Sequence, residues 1–166
     1  TYRKGEGYTA APRRLKYGRM VFVLPDEGVT PESLLARDGF LTELTGEYSM
    51  ADVVWSVPRF DVKSSVDLKD ILKALGVTDA FDENVADFTP LTDSGAVVSS
   101  VMQAARVKID EDGVEAAAYT EIVADTTAAE EPPPVVEMNL NRPFLFVILN
   151  DANVPLFVGT VQTIEG

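Results

Sequence analysis

The chain has 166 residues, and its hydrophobic and charged fractions of 46% and 25% are those of a globular protein, which excludes wholesale disorder. It contains no cysteine and no histidine, so disulfides, thiolate zinc sites, cysteine nucleophiles and histidine-based catalysis are excluded. Fourteen basic against 27 acidic residues give a net charge of −13, which repels phosphate backbones and anionic lipid, so we expect neither nucleic acid nor a membrane as a partner.

The first part of the chain predicts a buried strand followed by two short helical segments. Residues 20–24 form an apolar run that Pro25 closes, which is typical of a buried strand. Thr30 and Pro31 predict a helix N-cap followed by proline in the first helical position. After a break at residues 38–39, a further helical turn or two is supported by three apolar residues: Phe40, Leu41 and Leu44.

The middle of the chain predicts two strands and a third helix. Residues 52–57 favour a strand, Pro58 interrupts it, and residues 60–63 alternate as a half-buried strand. Asp67 is the expected N-cap of a helix, and Gly76 lies where a left-handed C-cap belongs. The apolar residues of this helix recur at helical spacing: Leu68, Ile71, Leu72 and Leu75.

The last third predicts three more strands. Residues 97–109 favour a long strand, and four residues share one of its faces: Val101, Ala105, Val107 and Ile109. Residues 144–149 and 155–161 are apolar strands joined by a turn at residues 150–153, whereas residues 77–96 look irregular. The predicted fold is therefore α+β, with mostly antiparallel β-sheets and a few short helices.

A polar segment of 22 residues, Gly113 to Pro134, separates these strands. Loops longer than about 12–15 residues are uncommon in compact domains and are usually functional or disordered. The segment is either a solvated acidic linker or an exposed bait for a protease, because nicking concentrates at loop tips with small residues. Small side chains such as those of residues 116–118 could slide between the strands of an existing sheet, and about 14 residues would reach about 46 Å.

Seven groups of residues follow one another along the chain in a recognisable order: residues 17–27, 57–60, 67–76, 79–81 with 86–88, 109–118, 141–144 and 156–159. Together they resemble the C-terminal half of a serpin, a family of serine protease inhibitors. The resemblance implies that residues 1–166 are a single partial serpin domain whose reactive centre loop lies at about 113–135. It further implies a suicide inhibitor: a target protease cleaves the loop, forms an acyl-enzyme, and is carried along as the upstream half of the loop inserts into the main sheet.

The resemblance also assigns the hinge of this loop to Gly113, Val114, Glu115, Ala116, Ala117 and Ala118. Gly113 lacks a Cβ and can act as the pivot. Strand alternation would turn Val114 and Ala116 inward and Glu115 outward. The stretch from Val114 to Thr120 contains no proline, and no charge falls at an inward position, so the sequence favours an inserting loop.

The position of the scissile bond depends on the direction of counting. Counting forward from Gly113 by the usual family spacing gives Thr127–Ala128, whereas counting back from Pro143 gives Pro132–Pro133. A Pro-Pro bond is a poor cleavage site, so we favour Thr127–Ala128; the bonds after Ala128 and after Glu131 remain as alternatives. No Lys or Arg lies near, which disfavours trypsin-like targets and favours an elastase-like serine protease, often cationic and attracted by the acids of the loop.

Several further expectations follow from the same resemblance. The chain is about half a serpin, so it should need the N-terminal half of the same protein as a partner and be inactive alone. We expect secretion to the extracellular space, no cofactor and no enzymatic activity. Gln103 replaces a histidine that many family members carry beneath the main sheet. The principal alternative is a non-inhibitory serpin that acts as a binding or chaperone-like protein.

Two other readings of single residues are rejected. Asp110, Asp112 and Gly113 faintly resemble a calcium loop, but the EF-hand requires its glycine at the sixth position and here it is the fourth. A carboxylate-based enzyme lacks any pair of acids that the sequence places at one site. Trp55 is expected to lie in the core.

Overall fold

The computed structural model describes residues 1–110 and 132–163. In chain order its strands are β1 (Arg3–Gly5), β2 (Tyr8–Arg14), β3 (Arg19–Pro25), β4 (Asp52–Ser56), β5 (Phe60–Asp67), β6 (Met102–Ile109), β7 (Val135–Asn139), β8 (Phe144–Leu149) and β9 (Pro155–Val161). The helices are α1 (Pro31–Leu35), α2 (Phe40–Glu43) and α3 (Lys69–Ala74), with one 3₁₀ turn at Asp79–Phe81. The chain divides into two compact units, one formed by residues 1–60 and from 108 onward, the other by residues 61–107.

A five-stranded antiparallel sheet is the centre of the first unit. Its spatial order is β1-β2-β3-β8-β9, so β8 lies beside β3 although more than a hundred residues separate them in the chain. Five of the six β8 residues are buried, as are six of the seven residues of β3. Both strands are therefore continuous apolar runs in the sequence, since neither face of this part of the sheet meets water.

The helical segments α1 and α2 cover one face of this sheet. Thr30 Oγ1 accepts a hydrogen bond from the Ser33 backbone N–H at 3.2 Å, and the Ser33 hydroxyl accepts one from the Thr30 N–H, which completes a capping box. Pro31 occupies the first helical position, as predicted. Leu34 and Phe40 are each 2% exposed and join the core of the sheet.

Tyr8 shows how closely this core is packed. Its ring meets Phe40 edge-on at a centroid distance of 5.3 Å and lies across the backbone of Gly5, where a Cβ would overlap the ring. The side chain is fully buried, and this burial raises the pKa of Tyr8 to about 12, because the charged phenolate would lose its hydration. Gly5 is therefore required by packing.

The remaining strands form two pairs. β4 and β7 pair in parallel, and β5 pairs with β6. Because the five-stranded sheet is antiparallel throughout, the predicted class of mostly antiparallel sheets with a few short helices is confirmed. In the second unit α3 ends as predicted, with Gly76 at a φ of +94°. Its N-cap is Leu68 rather than Asp67, although the Asp67 carboxylate still accepts the Lys69 N–H at 2.9 Å.

Several predicted boundaries differ from the structure. β1, β2 and β7 were not predicted, because none of them is an apolar run. β2 carries Pro12 and two arginines. Pro12 lies beyond the end of β1, so at this position β2 is paired with β3 alone. Proline is tolerated there as it is on the edge strand of a sheet. β6 begins at residue 102 rather than 97, and β5 extends to residue 67. Trp55 is half-buried rather than fully in the core.

Within the described residues, no helix is both long enough and apolar enough to cross a membrane.

Candidate functional site

The predicted reactive loop begins where β6 ends. Residue 101, directly before β6, and residues 105, 107 and 109 within it are half-buried, whereas the other residues of β6 are exposed, so the face predicted from the sequence is confirmed. Gln103 is exposed rather than buried. At the end of the strand the Lys108 ammonium lies 2.6 Å from an Asp110 carboxylate oxygen.

Two acidic side chains on β5 hold β6 in place. The Arg106 guanidinium donates hydrogen bonds of 2.7 Å from Nε and Nη2 to the two oxygens of Asp61, a bidentate fork across the strands. This hydrogen bonding lowers the pKa of Asp61 below its ordinary value. Asp67 accepts the Lys69 and Val101 backbone N–H groups, and these bonds lower its pKa as well. The strand that leads into the loop is thus hydrogen-bonded to β5 side chains just before its start and near its end.

The loop returns through Pro132–Pro134 into β7, which is fastened along its full length to β4. The Asp52 N–H donates to the Pro134 carbonyl at 3.0 Å before the first pair, and the Leu140 N–H donates to the Ser56 carbonyl at 2.9 Å after the last. Met138 of β7 is fully buried. Main-chain bonding and burial together make β7 a firm anchor for the downstream end of the loop.

An aromatic cluster lies on the buried side of this anchor. Trp55 of β4 meets Phe22 edge-on at 5.6 Å, and the Arg13 guanidinium lies 5.3 Å from the centre of its indole ring. Phe60 contacts both Phe144 and Phe146 of β8 at 5.6 and 5.5 Å. The β4–β7 pair is therefore seated on the principal sheet by aromatic packing.

Arg142 ties the segment after β7 to the end of β3. Its guanidinium Nε and Nη2 donate to the same carbonyl oxygen, that of Pro25, at 3.1 and 3.0 Å in a partly buried position. In the sequence, Arg142 belongs to the group at residues 141–144 that resembles the family's closing signature. Its partner could not be inferred from the sequence, because 117 residues separate the two.

The predicted site residues themselves fall in the segment between Asp110 and Pro132. The hinge residues Gly113, Val114, Glu115, Ala116, Ala117 and Ala118 and the scissile-bond candidates Thr127 and Ala128 all lie outside the described residues. These assignments remain predictions. The described residues contribute the two anchors, β6 upstream and β7 downstream, and these belong to different sheets.

No cluster of three or more possible metal-ligating side chains occurs in residues 1–110 or 132–163.

Comparison with protein families identifies the fold. The model of the family described as Serpin (serine protease inhibitor) matches residues 11–164. The chain belongs to the serpin family. Iripin-5 of Ixodes ricinus is 36% identical to this serpin chain over an alignment of 147 residues that covers 86% of this chain and 37% of Iripin-5.

Solved serpin structures agree with this assignment. The native state of tengpin, a thermophilic serpin, superposes with a TM-score of 0.75 at 30% identity, covering 98% of this chain and 44% of tengpin. Thyroxine-binding globulin in complex with thyroxine gives a TM-score of 0.69 at 29% identity, covering 96% of this chain and 42% of that protein. The chain therefore covers part of the serpin fold and spans less than half the length of these relatives.

Proposed function

We propose that the complete protein inhibits serine proteases by suicide cleavage of a reactive loop at about 113–135 and insertion of its upstream half beside β6. The proposal rests on a difference between the strands at the two ends of the loop: β6 upstream has an unpaired edge among the described residues, whereas β7 downstream is firmly bonded. Upstream, β6 pairs only with β5 among the described residues, so its second edge has main-chain groups that can accept another strand. Addition of a strand to a sheet edge is already the known mode of serpin loop insertion.

The downstream end is suited to stay in place when the loop is cut. β7 is bonded along β4, its Met138 is buried, and Arg142 holds the following segment to β3. β8, which continues from it, is buried between β3 and β9. Cleavage would therefore release the upstream half while the downstream half keeps its contacts.

The chemistry of the upstream half supports its insertion. Ala116, Ala117 and Ala118 present almost no side-chain volume, and Val114 is β-favouring. Residues 107 and 109 of β6 belong to its half-buried side, so inward side chains of an added strand would share that partly covered side. A charged side chain at an inward hinge position would have to be buried without a partner, which is costly.

The target that we propose is an elastase-like serine protease cutting at Thr127–Ala128. Small residues at this bond fit a shallow specificity pocket, and the segment from residue 109 to 141 contains nine acids and no Lys or Arg, which suits a cationic enzyme. The N-terminal part of the protein would supply the far side of the insertion slot. Secretion to the extracellular space is proposed on family resemblance.

The test uses the full-length protein mixed with elastase. We expect a covalent adduct that survives SDS, with the new amino terminus at Ala128 by mass spectrometry. Quantitative clipping without any adduct would contradict inhibition and favour the alternative, a binding serpin of the kind that the thyroxine complex of a structural relative illustrates.

A hinge variant tests insertion itself. Val114→Arg in the full-length protein should convert the inhibitor into a substrate, because an inward arginine would be buried in the slot. Glu115→Gln, at the neighbouring outward position, is the matched control and should still form adduct. Equal adduct yields from the two variants would argue against hinge insertion.

A further inference from the structure

The β4–β7 pair has one face that no described residue covers. Residues alternate strictly along both strands: Trp55 and Met138 point to the aromatic cluster, whereas the opposite side carries Asp52, Val54, Val135 and Glu137. We name these four residues the outer face. Val54 is 56% and Val135 68% exposed.

The strand register mixes charge and apolar surface on the outer face. Asp52 is the partner of Val135, and Val54 is the partner of Glu137, so each valine lies beside a carboxylate on the adjacent strand. Within the described residues neither carboxylate makes an ion pair. The face therefore offers two exposed valines and two uncompensated negative charges in one small area.

The outer face also lies close along the chain to the proposed scissile bond. Val135 follows Ala128 by seven residues, which span at most about 25 Å when extended. Pro132–Pro134 precede Val135 directly, and consecutive prolines favour an extended, semi-rigid spacer. A protease of roughly 220 residues has a radius of gyration of about 17 Å, so an enzyme holding that bond extends far enough to meet the outer face.

We propose that the outer face is a second contact surface for the target protease, one that binds a patch of its body carrying Lys or Arg beside apolar side chains. This inference rests on the proposed function, because the loop brings the enzyme to this position. Charge complementarity favours the protease as the binding partner. Asp52 and Glu137 have no basic partner among the described residues, so both carboxylates can pair with Lys or Arg of a cationic enzyme. Such rim charges act mainly on the rate of association, and their effect falls with salt.

The experiment compares association rate constants of full-length variants with an elastase at low and at physiological salt. Glu137→Lys reverses a charge and should slow association about tenfold at low salt, with a smaller effect at higher salt. Val54→Lys should slow it about threefold or more. Val154→Lys, at a 51% exposed valine between the turn at residues 150–153 and β9, is the matched control and should leave the rate constant unchanged. The stoichiometry of inhibition should stay the same in all variants, because the loop is intact.

The other possible results distinguish failure of this proposal from failure of the proposed function. Rate constants equal to wild type, with normal adduct, would overturn the outer face as a contact and leave the proposed inhibition intact. A lowered melting temperature for Val54→Lys with an unchanged association rate constant would show that the rest of the protein covers the outer face. A wild-type dimer that this variant dissociates would show that a second copy of the chain covers it. Either result would overturn the proposal. No adduct even with wild type would overturn the proposed function itself.

Discussion

The two units of this chain differ in how they bury apolar surface. In the first unit the central strands β3 and β8 are packed on both faces, and residues such as Leu145 and Phe146 are at most 2% exposed, although the edge strand β9 is largely exposed. In residues 61–107 no side chain is fully buried, and Ile71 and Leu75 of the α3 region are 50% and 76% exposed. The first unit therefore carries its own core, whereas the second has no fully buried residue.

This contrast agrees with the roles that we propose for the two units. The unit that must hold the downstream half of a cut loop has a buried core of its own. The unit that contains most of β6, beside which the upstream half would insert, has an open strand edge and uncovered apolar side chains within the described residues. A sheet that is to accept a strand cannot already be closed.

The largest expected effect is the loss of a core side chain from the first unit. Phe146→Ala should lower the free energy of unfolding by about 3–5 kcal/mol, because it removes a ring that packs against Phe60. Ile71→Ala, at a half-exposed position, should cost less than about 1 kcal/mol in the same 166-residue chain. Urea unfolding followed by circular dichroism measures both, and equal costs would break the comparison.

The next largest effect on the free energy of unfolding is expected from substituting one of two glycines. A Cβ at Gly159 of β9 would overlap the ring of Phe146, so Gly159→Ala should destabilise by about 1–3 kcal/mol through overpacking. At Gly95 a Cβ would meet no atom within 4 Å, so Gly95→Ala should change the free energy of unfolding by less than about 0.5 kcal/mol. The fluorescence of Trp55, the sole tryptophan, reports the first unit. A harmless Gly159→Ala would show that the sheet can relax there.

The loss of folding stability at alkaline pH should arise in the first unit. The pKa of Tyr8 is raised from 10.0 to about 12 by burial, so its contribution is fully present below pH 10 and is lost as the pH rises through 12. Tyr8→Phe should therefore flatten the fall of stability between pH 10 and 12. Denaturant midpoints across this range test it; an identical fall in the variant would assign the alkaline transition to another group.

The smallest effect is expected at the acidic limit of the second unit. The pKa of Asp61 is lowered by its hydrogen bonds to Arg106, so this contribution is present above the ordinary carboxyl pKa and is lost as the pH falls through the lowered value. The pair is largely exposed, so Asp61→Asn should change stability only slightly at neutral pH. Acid titration by circular dichroism, with Glu83→Gln as an exposed control, should show a weaker acid dependence for Asp61→Asn alone.

The sequence predicted most where the determining interactions are local. The Thr30 cap, the turn at residues 150–153 and the left-handed Gly76 depend on neighbouring residues, and all three are confirmed. The Asn150 carboxamide oxygen accepts the N–H groups of residues 152 and 154, as expected of such a turn. Family membership was also correctly inferred, because seven motifs in the same order support it even where the predicted end of a single strand or helix is wrong.

The sequence by itself determined the apolar strands, the Thr30 cap, the left-handed Gly76, the α+β class and the family, since periodicity and turn chemistry act over a few residues. Only the tertiary structure decided that β7 pairs in parallel with β4, that the polar β2 belongs to the central sheet, and that Arg142 binds the Pro25 carbonyl. These choices depend on register and main-chain hydrogen bonds between residues far apart in the chain, and no local pattern encodes them.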